Sequence, residues 1–147
     1  MTTIVVGVDG SEGSKTALRW ACEEAARWPA AKVVAVATWQ YPIAAASPWV
    51  VGYDLPIDLT EPTEIKLKET ITEVVGEKYT KVDITARVVC GPAASVLIEE
   101  GSNANMLVVG TRGLGGFKGL LLGSVSHQVA THAPCPVVIV PGPEHDS

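Results

Sequence analysis

Four short apolar runs constrain this chain most. They are TIVVGV (Thr3–Val8), KVVAVATW (Lys32–Trp39), NMLVVG (Asn105–Gly110) and CPVVIV (Cys135–Val140). Each is nearly continuous and β-branched, with no polar face to turn toward water. Such a strand needs cover on both sides, which is the situation inside a parallel sheet flanked by helices. Helical patterns fill the intervals. Leu18, Ala21, Cys22, Ala25 and Trp28 recur at three-to-four spacing, with Ser11 as the expected N-cap and Pro29 as the stop. A second helix is expected from about Pro62, with a Leu67, Ile71, Val74, Val75 stripe and Gly76 near its end. KVDITARVV (Lys81–Val89) alternates partly and reads as a further strand. After Gly91-Pro92 comes a short helix turning Ala94, Leu97 and Ile98 inward, and a last helix is expected over Ser124–His132. The order strand–helix, repeated to a fifth strand, predicts an α/β fold: a three-layer sandwich with a five-stranded parallel sheet and helices on both faces. Residues 40–61, rich in proline, read as a long excursion without clear structure.

In sheets of this kind, ligands bind beyond the carboxyl ends of the strands, where the strand order reverses. Two such ends carry suitable residues. The first strand ends in Asp9-Gly10-Ser11, and the fourth ends in Gly110 and leads into GTRGLGGFKGLLLGSVS (Gly110–Ser126). If those strands are neighbours, both loops open into one crevice. The stretch is not a Walker A loop, because Lys118 precedes Gly119 and no lysine stands before the serine of GLLLGS. Nor is it the dinucleotide fingerprint, which, started at Gly113, needs glycine where Lys118 stands. What remains is Gly110-x2-Gly113-x9-Gly123-Ser124. Gly123-Ser124 opens a helix, whose first N–H groups and positive dipole end suit an anion. Ser124 and Ser126 add hydroxyls, Arg112 or Lys118 adds charge, and Gly110 and Gly113 are expected to turn with positive φ into an anion nest. The competing reading is a flexible glycine loop with Ser124 as a plain helix cap.

The 147 residues fit one domain, expected over 1–141 with a polar tail at 142–147. A net charge of −5 with only eleven Lys and Arg excludes a nucleic-acid or anionic-membrane footprint, so any anion must be held locally. Cys22, Cys90 and Cys135 are far apart and read as buried or half-buried free thiols in a reducing compartment. His127 and His132, five apart, do not share a helix face as zinc ligands do. There is no secretory leader and no apolar run of membrane-spanning length, so a cytoplasmic location is expected. Trp20 and Trp28 read as packing on one side of the first helix, while Trp39 and Trp49 are candidates to cover a bound base.

The glycine spacing resembles the G-x2-G-x9-G-[ST] signature of the universal stress protein family. The opening VVGVDGS, the segment VCGPAASVLIE and the ending HAPCPVVIVP resemble it too, so the likeness covers essentially the whole chain. The resemblance implies a flavodoxin-like (Rossmann-like) parallel sheet of order 3-2-1-4-5 and a regulatory protein that binds ATP, with Mg as a candidate companion, between strands one and four. On that resemblance Asp9 meets ribose or adenine, the Thr38 backbone meets adenine, and Val8 and Val109 wall the pocket. Gly110, Gly113, Gly123, Ser124, Val125 and Ser126 form the phosphate loop, with Arg112 at a variable position and Ser11 beside Asp9. It also implies a homodimer through the last strand, Pro136–Val140, and a protein partner that the sequence does not identify. Binding is expected rather than dedicated catalysis, since the sequence offers no metal ligand set or base of the phosphoryl-transfer kind. Slow ATP hydrolysis or nucleotidyl transfer is the alternative, and a nucleotide-free interaction module is the second.

Overall fold

The computed structural model describes residues 1–41, 57–111 and 122–142. In chain order the elements among these residues are β1 (Thr2–Gly7), α1 (Glu12–Ala26), β2 (Ala31–Trp39), α2 (Thr60–Val75), β3 (Asp83–Cys90), α3 (Ala93–Glu100), β4 (Met106–Gly110), α4 (Ser124–His132) and β5 (Val137–Val140), with a 3-10 turn at Gly101–Asn103. The strands form one parallel sheet in the order β3-β2-β1-β4-β5. The expected architecture is therefore present, and the order reverses between β1 and β4.

The apolar runs explain the layering. Successive side chains of a strand point to opposite faces. Ile4, Val6 and Val8 enter one core with Leu18, Ala21 and Cys22 of α1, Leu67 of α2 and Val33 of β2. Val5 and Val36 enter the other, with Val96 and Leu97 of α3 and Val129 of α4. Ile4, Leu18, Leu107 and Val108 are fully buried, each contributing about 1.5–3 kcal/mol by leaving water. Gly7 admits the second core close to β1: a Cβ there would lie 2.8 Å from Leu97 Cδ1. β3, at the sheet edge, alternates exposed and half-buried residues, as its partly alternating sequence predicts.

Three sequence expectations shift. α2 starts at Thr60 rather than near Pro62; Asp58 Oδ1 accepts the Thr60 N–H at 2.9 Å, and Pro62 sits in the first turn, where its missing donor costs nothing. The Thr60 hydroxyl and then its N–H hold the Asp58 carboxyl below its ordinary value. Trp28 lies beyond the end of α1, about half exposed, with its indole N–H donated to Glu24 Oε1 at 3.1 Å; of these two tryptophans, Trp20 is the one packed against the core. Cys90 is exposed, whereas Cys22 is buried and Cys135 half-buried; all three are free thiols, and burial pushes Cys22 up to about 11. No helix among the described residues is long and apolar enough to cross a membrane.

Candidate functional site

The topology places three strand ends side by side. β1 lies between β2 and β4, so Asp9, Thr38 and Gly110 follow or close adjacent strands at their carboxyl ends. Val8 N–H donates to the Val36 carbonyl at 2.8 Å, and Gly91 N–H donates to the Trp39 carbonyl at 2.9 Å. Peptide groups alternate sides along a strand, so these two bonds fix the parity of β2. The Thr38 peptide groups face the β1 side, two residues past Val36, the partner of β1's last residue, Gly7.

The turn after β1 is a small hydrogen-bonded unit. Asp9 Oδ1 accepts both the Ser11 N–H at 2.9 Å and the Ser11 hydroxyl at 2.5 Å. Ser11 Oγ in turn caps α1 by accepting the Ser14 N–H at 3.2 Å, the role its position predicts. Ser14, a buried residue that sequence reading did not single out, accepts the Asp9 N–H at 3.3 Å and donates to the Ser11 carbonyl at 2.9 Å. Gly10 makes the turn with φ +86°, a conformation that favours glycine. Asp9 is thus exposed yet oriented. Val8 and Val109 sit at the strand ends but are buried on opposite faces of the sheet.

Gly110 is required for a different reason from the one its sequence suggests. Its φ is not positive, so the expected anion-nest turn is not made there. Instead, a Cβ at Gly110 would lie 2.9 Å from the Gly13 carbonyl oxygen and 3.0 Å from its carbon. The first turn of α1 rests on the end of β4, and the missing side chain lets the two backbones meet. Gly13 was not foreseen because nothing local marks a contact almost a hundred residues away. Arg112 and Gly113 lie outside the described residues, as do Lys118, Trp49 and the tail from 143 onward.

At the other side of the crevice, α4 begins at Ser124 with Gly123 in the cap position at φ −75° and no side-chain cap. The first helical bond runs from His127 N–H to the Gly123 carbonyl at 2.9 Å. The N–H groups of Ser124, Val125 and Ser126 precede it, at the positive end of the helix dipole. Ser124 is exposed and Val125 half-buried. The competing reading of Ser124 as a plain helix cap is not met, because Gly123 holds that place. Ser126 is 3% exposed, and its hydroxyl donates to the Thr111 carbonyl at 2.7 Å, with the Gly123 carbonyl at 3.1 Å. Gly123 N–H reaches the same Thr111 carbonyl at 2.6 Å, and Thr111 N–H donates to the Val140 carbonyl at 3.1 Å. Trp39 is buried, donates its indole N–H to Thr60 Oγ1 at 3.1 Å and meets Tyr41 edge-on at 5.2 Å; its packing tethers α2 to the end of β2.

Comparison with known proteins agrees with this fold. The model of the universal stress protein family matches residues 1–141. A universal stress protein of Mycolicibacterium smegmatis is 36% identical over 141 residues, covering 93% of this chain and 45% of that one. The chain thus spans less than half the length of the curated relatives it matches. Among solved structures, a universal stress protein in complex with cAMP aligns with a TM-score of 0.65 and 29% identity over 97% of this chain and 98% of that one. A universal stress protein from Lactobacillus plantarum shares the fold with a TM-score of 0.72 at 19% identity, over 95% of this chain and 97% of that one. The chain belongs to the universal stress protein family.

Proposed function

We propose that the domain over residues 1–141 binds an adenine nucleotide, ATP foremost, in the crevice between β1 and β4, and serves as a nucleotide-dependent dimeric regulator of the stress response in the cytoplasm. The observation that carries this reading is the pair of loops that leave β1 and β4 at the strand-order reversal: the first holds an oriented carboxylate at Asp9, and the second leads into an α4 terminus with Gly123 in the cap position and no side-chain cap among the described residues. A carboxylate suits ribose hydroxyls, and a helix N-terminus suits phosphate. The Thr38 peptide groups, facing past the end of β1, supply a donor and an acceptor for the adenine edge. Gly123, Ser124 and Val125, with Arg112 and Gly113, are assigned to the phosphates; Gly110 and Ser11 hold the two loops in place. The relative described in complex with cAMP, at 29% identity, supports an adenine ligand.

The dimer reading rests on β5. Among the described residues it is a sheet edge paired only with β4, and Val137, Val138 and Ile139 are half-buried. An apolar edge strand favours pairing with a second copy. The bond from Thr111 to Val140 connects that edge to the Thr111 carbonyl on which α4 is held, a physical link through which occupancy would reach the dimer surface. The test is extraction of nucleotide from freshly purified protein, compared with Gly123→Val. An adenine nucleotide in the parent and none in the variant is the expected result. An empty parent with no ATP affinity below the millimolar range would overturn the reading. ADP accumulation that vanishes in Gly123→Val would replace the regulator with a slow enzyme.

A further inference from the structure

The family pattern assigns the second serine of the Gly-Ser-x-Ser sequence to phosphate, but its geometry points elsewhere. Ser126 is almost wholly buried, and its one proton is directed at the Thr111 carbonyl at 2.7 Å, with the Gly123 carbonyl 3.1 Å from the same oxygen. The Thr111 carbonyl also accepts the Gly123 N–H, at 2.6 Å, and Thr111 N–H is tied to Val140 at 3.1 Å. A carbonyl oxygen has two lone pairs, so both acceptor sites of Thr111 are used, one by each end of the same helical turn. We infer that Ser126 is a positioning residue: it fixes the first turn of α4 against the exits of β4 and β5, so that the amides of Ser124 and Val125 face the crevice before any ligand arrives. Preorganised donors bind an anion without the ordering cost that a free turn would pay.

The ligand arm rests on the nucleotide reading above, but the geometric arm does not. Amide hydrogen exchange of the nucleotide-free protein is followed by NMR at Gly123, with Leu107 and Val129 as references for the sheet and for α4. In Ser126→Ala the Gly123 amide exchanges about five- to tenfold faster, the effect of removing one neutral hydrogen bond, while Leu107 is unchanged. Ser126→Thr, which keeps the hydroxyl, restores protection. The ATP dissociation constant rises several-fold in Ser126→Ala and returns in Ser126→Thr. Unchanged Gly123 exchange in nucleotide-free Ser126→Ala overturns the inference, as does equal acceleration at Leu107, which would mark a general loss of stability. An unchanged ATP affinity in that variant overturns its bearing on the site. If the parent binds no ATP, the nucleotide reading fails alone, and Gly123 exchange still decides the positioning role.

Discussion

Gly110→Ala separates two reasons for a glycine at the end of β4. If the residue is small so that phosphate can approach, alanine lowers nucleotide affinity and leaves the empty protein as stable as before. If it is small so that α1 can rest on β4, alanine destabilises the protein with no ligand present. The structure supports the second reason. The added methyl would lie 2.9 Å from the Gly13 carbonyl oxygen and 3.0 Å from its carbon, and these are backbone atoms of a helical turn that cannot rotate away. Relief requires α1 to move by a few tenths of an ångström. Overpacking of this kind costs about 1–3 kcal/mol. The backbone at Gly110 is open to alanine, since φ is not positive, so no conformational strain adds to this. Replacing glycine also restricts the unfolded chain, which offsets about 0.4–1 kcal/mol. At the middle of these ranges the net loss is about 1.3 kcal/mol, a fall in Tm of roughly 3–5 °C for a chain of this size. Thermal unfolding of nucleotide-stripped protein measures it directly. An unchanged or raised Tm would refute the close-approach argument and return Gly110 to the phosphate.

Ser11→Ala removes the α1 cap and one of the two Ser11 donors to Asp9, so denaturant unfolding should show a loss of about 1 kcal/mol and nucleotide titration a weaker complex. Gly10→Ala meets open space but forces alanine to φ +86°. It should cost roughly 1–2 kcal/mol by strain alone, measurable as a lower denaturant midpoint with an unchanged slope. Tyr79 is pushed up to about 12 by burial and by its hydrogen bond to Glu23. A group whose folded pKa lies above its ordinary value of 10.0 adds stability that is complete below pH 10 and lost as pH rises toward 12. In unfolding midpoints measured across that window, Tyr79→Phe should decline less steeply than the parent.

The fold was legible because its strands carry their own evidence. Runs such as TIVVGV and CPVVIV have no polar face, which leaves few arrangements besides a covered parallel sheet, and the strand order then followed from the family likeness. The end of the first strand before Asp9 and the helix start at Gly123 were legible because strand ends and helix starts are marked by local sequence. Relations between distant segments were not. The Gly13–Gly110 contact, the shared acceptor at Thr111 and the burial of the Ser126 hydroxyl all depend on which backbones are brought together. The sequence marks the glycines and serines but not what they touch. The α2 boundary moved for a local reason, the acceptor at Asp58, which outranked proline as a start signal.

The central claim, an adenine nucleotide held at the carboxyl ends of β1 and β4, is tested most directly by titrating ATP into isotope-labelled protein and following amide shifts. The fold offers an internal control: a groove of about 550 Å³ at the opposite end of the sheet, bordered by Met1, Trp28, Tyr79 and Lys81. Saturable shifts at Asp9, Thr38, Ser124 and Val125, with Trp28 and Tyr79 unmoved, are the predicted result. Shifts confined to the opposite groove, or none that saturate below millimolar ATP, would contradict it.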